Sequence, residues 1–489
     1  MYINNFMNKN KNFLYNDAFN LDYKQVNQYY NDYINPGLSK LYQFFSFGKE
    51  IFEKAEGMYM YTKTGKKILD FTGGLGVLSH GHNHPRILEA RIKYQQEKRV
   101  EVHKVIFSPT QALLAKKLSD LLPKDLDKCF FPNSGAEANE GAIKLAYKYH
   151  KGKRDYILHA DRAFHGKLIA TGSLGGNYFE DELFQKLPHT SSFEYNNIDS
   201  LKSKINYLQK NGESNIYAII IEPFSASCMQ SCSSEFLIGL RKLCDNENII
   251  LIFDEVYSGW AKTGELFNFM RVLDLAPDIL TMSKSFGGGK SSISAYVTKN
   301  QIFNKAYGDF KDANLHSSTF SGFGEESATA LESIEIMTSE NYPAKSKKIF
   351  DLINPRLNLL MKKYPSIIKE VRGSGTMNGI IIHPPLKIID KIIDKLPFNI
   401  TKDNLNSFSQ IVIASIMEDL YSSYNILTIP QDRVIKKEDG SIERFAYLAI
   451  KPSCIVSNEE IDYFLISLDK CLEKGTIKLI SSFLKQKLS

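Results

Sequence analysis

Between about residue 110 and residue 300, stretches with apolar residues at helical spacing alternate with short runs that are apolar throughout. "AEANEGAIKLAYKYH" and "FLIGLRKLCDNE" show the first pattern, and "DYILHA", "YAIII" and "IILIFDEV" the second. Helical spacing gathers apolar side chains on one face, whereas a strand-length run that is apolar throughout is buried on both faces. The alternation predicts a mostly parallel sheet with helices on both sides, since parallel strands need crossover connections. The expected fold class is α/β.

Outside that region the pattern changes. "MYMYTKTGKKILDFTGG" reads as a hairpin turning at "KTGK". "PAKSKKIFDLINPRLNLLMKKY" reads as a helix leading to strand-like "NGIIIH" and "FAYLAI", which predicts a smaller α+β unit near the C-terminus. The expected division is an N-terminal segment over 1–80 contributing to the small domain, a large domain over 81–345, and a C-terminal α+β domain over 346–489. The stretch 384–406 inside the last of these reads as an added arm.

Length agrees with two domains, because 489 residues exceed the roughly 250–300 at which single cores stop growing. Hydrophobic residues at 43% and charged residues at 24% are ordinary for a soluble globular chain. The longest apolar runs fall far short of the ~20 residues that span a bilayer, so no membrane partner is expected. The N-terminus shows no apolar signal core, which makes a cytoplasmic location the expectation. Six sparse cysteines read as reduced core residues, and the single CxxxC of Cys228 and Cys232 does not predict a metal site. A net charge of +6 is spread along the chain. Its densest patch, "KGKR" from Lys151 to Arg154, reads as solvated surface, so nucleic acid is not an expected partner.

The candidate chemistry begins at "SKSFGGGKSS". Its glycines followed by Lys290 and Ser291 echo a nucleotide-binding loop, but the position where that loop needs its first glycine holds Lys284. Lys284 follows the strand-like "PDILTMS" and precedes three glycines. A lysine so presented can approach a carbonyl and be partly desolvated, which makes its amine nucleophilic. Asp254 of "IFDEVYSG" ends an apolar strand, where parallel α/β sheets bind ligands. A buried carboxylate needs a partner, and a protonated ring nitrogen would serve. Glu255 faces the other way by strand alternation and reads as a structural salt bridge. In "FFPNSGAEANEGAIK" a strand ends, Asn133 or Ser134 can cap, and a helix starts near Ala136; free N–H groups there can seat a phosphate. "RAFHGK" places Phe164 and His165 in a turn, where an aromatic can stack on a flat ring. "SHGHNHP" offers a rival in His80, His82 and His84, whose alternate spacing suits the metal of a hydrolase.

With "NSGAEANEGAIKLA", "AFHGK", "IIIEP", "FDEVYSGWAKTG", "APDILTMSKSFGGG" and "HSSTFSG" in this order, the chain resembles the class III aminotransferases that depend on pyridoxal 5'-phosphate. The likeness runs from about Gly57 to the C-terminus and implies fold type I, with a large domain around a mostly parallel seven-stranded sheet and a smaller α+β domain. It implies that Lys284 holds the cofactor as a Schiff base and that Asp254 pairs with its pyridine nitrogen. Phe164 and Val256 would cover the two ring faces, with His165 beside them. Ser134, Gly135 and Ala136 would surround the phosphate, the last two through their N–H groups. Thr319 would reach that phosphate from the second subunit of a homodimer, placing the active site at the interface. Glu222 matches a glutamate near substrate and cofactor that often partners a substrate-binding arginine. The implied partners are a small amine donor, an omega-amine, diamine or amino acid, and an oxo acceptor used in a ping-pong cycle; no metal is implied. An aminomutase of the same fold, moving an amino group within one molecule, is the nearest alternative. A scaffold without turnover would need neither Lys284 nor Asp254.

Departures from the family pattern concern cofactor details and substrate choice. Ala136 replaces a hydroxyl residue of many relatives, and Tyr257, at a cofactor-contacting position, replaces a frequent glutamine. "WAKTG" replaces "FGRTG", and "KPSCIVS", headed by Lys451, replaces a Pro-Pro-Leu segment.

Overall fold

Apolar runs of strand length become the centre of a seven-stranded sheet in the computed structural model, which describes residues 14–101, 105–123, 125–175, 185–383, 407–436 and 442–488. The expected arm over 384–406 lies outside the described residues. In chain order the strands are β1 (Leu126–Phe130), β2 (Tyr156–Ala160), β3 (Thr190–Phe193), β4 (Ile216–Ile221), β5 (Ile250–Asp254), β6 (Ile279–Met282) and β7 (Ala295–Lys299). Their spatial order is β1-β7-β6-β5-β4-β2-β3, with only β7 antiparallel to its neighbours. Every residue of β4, β5 and β6 is buried, as expected of strands covered on both faces.

Strand alternation decides what each face receives. Leu251 and Phe253 of β5 enter one core with Trp260, Phe267 and Phe286. Ile250 and Ile252 enter the other with Ala142, Ile143, Leu145 and Ala146 of helix α1 (Gly135–Tyr149). Asp254 continues the second parity and so ends on the side of α1.

A second antiparallel sheet holds β8 (Ile368–Ser374), β9 (Met377–Ile382), β10 (Ile429–Lys436) and β11 (Ile442–Ile450) in the order β8-β9-β11-β10. The predicted hairpin forms from Tyr59–Thr62 and Lys67–Asp70. Its second strand pairs in parallel with Ile426–Leu427, so the two ends of the sequence share one sheet. Met58, Leu69 and Phe71 accordingly join a core built mainly from residues 349–480.

Two expectations need correction. Arg154 of "KGKR" is partly buried, and its Nη1 donates to the carbonyls of Ile216, Glu247 and Asn248 at 2.8, 3.0 and 2.9 Å. It ties β4 to the preceding end of β5 because those carbonyls close on it from two connections. Glu255 is fully buried and has no salt bridge among the described residues; its carboxylate accepts from the Ser258 hydroxyl and the Phe269 N–H. Burial pushes its pKa up to about 7. All six cysteines are free thiols, five of them buried. Among the described residues no helix is long and apolar enough to cross a membrane.

Candidate active site

Five connections leave the same edge of the large sheet and carry the candidate residues. Asp254 ends β5, and Lys284 lies just beyond β6. Phe164 and His165 follow β2, Glu222 follows β4, and Ser134–Ala136 follow β1. Parallel strands deliver their C-terminal ends together, which is why residues far apart in sequence meet there.

The Asp254 carboxylate is 3% exposed and held by three donors. Oδ2 accepts from Asn139 Nδ2 at 2.7 Å and faces His165 Nδ1 at 2.7 Å, while Oδ1 accepts from the Val256 N–H at 2.9 Å. An ionised carboxylate only accepts, so His165 carries its proton on Nδ1. Asn139 also donates to the His165 carbonyl at 2.8 Å and accepts from Thr281 Oγ1 at 2.6 Å. Thr281 is the register partner of Asp254 on β6, so the network spans two strands, a helix and a loop. Oδ1 keeps a lone pair for one more donor. Sequence reasoning missed Asn139; its signal was a polar residue on the otherwise apolar face of α1.

Lys284 opens a tight helical turn, Lys284–Gly287, with φ of +55°, a left-handed value uncommon outside glycine. The next side chains fix the turn. Ser285 Oγ donates to the Gly76 carbonyl at 3.0 Å, Ser333 Oγ donates to the Ser285 carbonyl at 3.0 Å, and Phe286 stacks on Trp260 at 5.0 Å. Lys284 itself is only partly buried, and its Nζ stands 5.7 Å from the centre of the Tyr257 ring. Desolvation lowers its pKa, with Asp254 and Glu222 pulling the other way. The result is an amine closer to its nucleophilic form than an exposed lysine.

Ser134 caps α1 in a capping box with Glu137, as its sequence suggested, and the helix begins at Gly135. A Cβ on Gly135 would stand 2.7 Å from Val256 Cγ1. One on Gly166 would stand 2.6 Å from the Ala136 Cβ, which accounts for small residues at both places. Glu222 is buried and accepts from the N–H groups of Phe164 and Ala226, both at 3.0 Å. Phe164, Val256 and Tyr257 are half-buried around the rim.

Thr319 stands apart from this cluster. It is exposed and lines a cleft of about 240 Å³ with Glu101, Tyr296, Tyr307 and His316. Of the histidines of the rival reading, His80 and His84 keep their rings 5.9 Å apart, and His82 turns away from them. His80 donates from Nε2 to the Ser333 carbonyl at 3.0 Å, and burial pushes its pKa down to about 4. His82 pairs instead with Asp70 at 2.9 Å. Among the described residues no group of three potential ligands could hold a metal ion.

The family model described as Aminotransferase class-III matches residues 48–397. The chain belongs to the class III aminotransferases. An acetylornithine aminotransferase of Methanocaldococcus jannaschii is 35% identical over 382 residues, 76% of this chain and 91% of that protein. One from Agrobacterium fabrum is 33% identical over 340 residues, 68% of this chain and 81% of its own length. An ornithine aminotransferase structure from Toxoplasma gondii, described with partial occupancy of PLP at its active site, has a TM-score of 0.74 at 20% identity, covering 95% of this chain and 97% of that one.

As a class III aminotransferase the chain is an enzyme of fold type I that uses pyridoxal 5'-phosphate. Its own residues fit that group. Oδ1 of Asp254 has capacity for a ring N–H, a helix N-terminus without a Cβ at its first residue suits a phosphate, and Lys284 offers a partly desolvated amine.

Proposed function

We propose that this enzyme moves an amino group from an amine donor of the ornithine or acetylornithine type to a 2-oxo acid in two successive half-reactions. The observation that carries the reading is the meeting of a half-buried Lys284 with an Asp254 carboxylate held by Asn139 and His165. When bound, pyridoxal 5'-phosphate supplies an electron sink for the pair left at the donor's amine-bearing carbon.

The chain's residues supply the rest. Lys284 would hold the cofactor through Nζ and, once released by the donor amine, would be the base that takes up the proton of the donor carbon. A positioned base of this kind contributes about 10² to 10⁴-fold. Asp254 would pair with the pyridine nitrogen, and its three donors fix the carboxylate in place for that contact. Gly135 and Ala136 would bind the phosphate through their N–H groups beside Ser134, and Phe164, Val256 and Tyr257 would border the ring. Glu222 orients the Phe164 segment through its backbone.

The proposal includes a homodimer in which Thr319 completes the partner's phosphate site. Exposed Ile106, Phe107, Phe310, Leu315 and Phe320, close in sequence to the residues lining the Thr319 cleft, support a second copy covering that face. A division near residues 80 and 345 belongs to the same reading, supported by the core that joins Met58, Leu69 and Phe71 to residues 349–480.

The test is near-visible absorbance of wild type and Lys284→Ala with added pyridoxal phosphate, titrated with ornithine, acetylornithine, 4-aminobutyrate and putrescine. Wild type should show a band that one donor converts to the aminated cofactor and 2-oxoglutarate restores; the variant should show no conversion. A wild type that forms no band, or that turns over without any separate acceptor, overturns the proposal, the latter in favour of an aminomutase.

A further inference from the structure

Behind Lys284 lies a group of polar side chains that the reaction itself does not call on. Ser79, His80, Ser285 and Ser333 are all buried, although Phe286 and Ile334, the chain neighbours of two of them, belong to the apolar core. They come from three segments. Ser79 and His80 follow the turn Gly73–Gly76, Ser285 lies in the turn that Lys284 opens, and Ser333 is on helix α2 (Gly324–Ser339).

Carbonyl oxygens only accept, which fixes the direction of each bond in this group. His80 Nε2 donates to the Ser333 carbonyl, Ser333 Oγ to the Ser285 carbonyl, and Ser285 Oγ to the Gly76 carbonyl, each at 3.0 Å. With its proton so used, Ser285 Oγ accepts from Ser79 Oγ at 2.8 Å. Burying four polar side chains carries a desolvation cost that alanine or valine would avoid, and a fully bonded network returns rigidity in exchange. What this one makes rigid is Ser285, the residue directly after Lys284.

Lys284 needs that support. Its φ of +55° is a backbone state disfavoured by roughly five- to thirtyfold for a residue with a Cβ. A Ser285 held at both its carbonyl and its hydroxyl keeps the chain from relaxing to ordinary values. Charge does not set the direction of the Lys284 side chain. Asp254 and Glu222 draw its amine, while Lys262, 2% exposed and without a hydrogen-bond partner at Nζ, repels it. The place of Nζ beside Tyr257 therefore depends on the backbone from which the side chain starts.

We propose that Ser285, braced by Ser79, Ser333 and His80, is a positioning residue that holds Lys284 where its amine meets the aldehyde of pyridoxal 5'-phosphate. The inference rests on the reading of Lys284 as the cofactor lysine. In the bond concerned, Nζ of the neutral amine becomes doubly bonded to the aldehyde carbon, and the aldehyde oxygen leaves with the two amine protons as water. Nothing is oxidised or reduced.

The full-length chain, freed of cofactor, is titrated with pyridoxal 5'-phosphate and with its 4'-deoxy analogue, which keeps ring and phosphate but has no aldehyde. Wild type should hold the aldehyde more tightly, and Lys284→Ala should bind the two alike. Ser285→Ala should weaken the aldehyde about three- to tenfold, as loss of a net hydrogen bond implies, and leave the analogue within about twofold. Ser333→Ala should act in the same sense, and it carries the test if Ser285→Ala does not fold. In Lys284→Ala neither serine substitution should separate the two ligands. Equal weakening of both ligands by the serine variants leaves them a purely structural part and overturns the proposal, as does unchanged binding of both. A Lys284→Ala protein that still prefers the aldehyde is a different failure, that of the Lys284 reading, and the proposal falls with it.

Discussion

Replacing Gly135 with alanine places a methyl group where the fold has no room for one. The new Cβ would stand 2.7 and 2.9 Å from Val256 Cγ1 and Cγ2, and 3.4 Å from Ser283 Cβ. Comfortable carbon contacts lie at about 3.5–4.0 Å, so something must shift by close to an ångström. Val256 cannot yield freely, because its β-branched side chain is stiff and its N–H is tied to Asp254 Oδ1 at 2.9 Å. Overpacking of this kind costs about 1–3 kcal/mol. Alanine also favours a helix over glycine by roughly 0.5–1 kcal/mol, which offsets part of the cost. The net expectation is a loss of about 1–2 kcal/mol in urea unfolding, with weaker binding of pyridoxal phosphate as the start of α1 moves. Val256→Ala removes both clashing methyls, so the double variant should recover most of the loss, a coupling of about 1–3 kcal/mol. Unfolding midpoints and cofactor titrations of wild type, both single variants and the double variant measure it. Additive effects, or a Gly135→Ala protein as stable as wild type, would refute the close-approach reasoning.

Asn139→Ala should cost roughly 2–4 kcal/mol by denaturant unfolding, because it leaves the buried Thr281 hydroxyl and His165 carbonyl unpaired and removes a donor from Asp254. Pyridoxal phosphate affinity should fall with it, while loss of stability without loss of cofactor affinity would contradict its place in the Asp254 network. Lys262 gives a pH signature. Its folded pKa of about 7 lies below the ordinary 10.5, so between those values the unfolded chain binds a proton that the folded one lacks, and stability rises with pH. Lys262→Met should therefore be the more stable protein below about pH 7, by up to roughly 4–5 kcal/mol, with the advantage shrinking toward pH 10. Unfolding midpoints across that range that run parallel for the two proteins would contradict a charged, uncompensated Lys262.

Local pattern determined much of this protein. The switch from helical spacing to apolar runs announced the layered sheet, the "KTGK" turn announced its hairpin, and Ser134 announced the start of α1. Lys284 before three glycines and Asp254 at a strand end were legible for the same reason: strand ends and glycine turns are short-range features. Partnerships were decided by tertiary structure. Asn139 reaches Asp254 across 115 residues only because β5 has the parity that turns its last side chain toward α1. Glu255, read as half of a salt bridge, accepts from a hydroxyl and a backbone N–H because the loop after β5 folds back over it. Of His80, His82 and His84, evenly spaced in sequence, His80 and His84 stay ring to ring at 5.9 Å while the turn sends His80 Nε2 to the Ser333 carbonyl and His82 to Asp70. Lys262 and Lys451 meet at Tyr257 from segments nearly two hundred residues apart, brought together where the Gly73–Gly76 turn presses on both. Periodicity tells a side chain whether it is buried; the register of strands and the packing of distant turns decide what it is buried against.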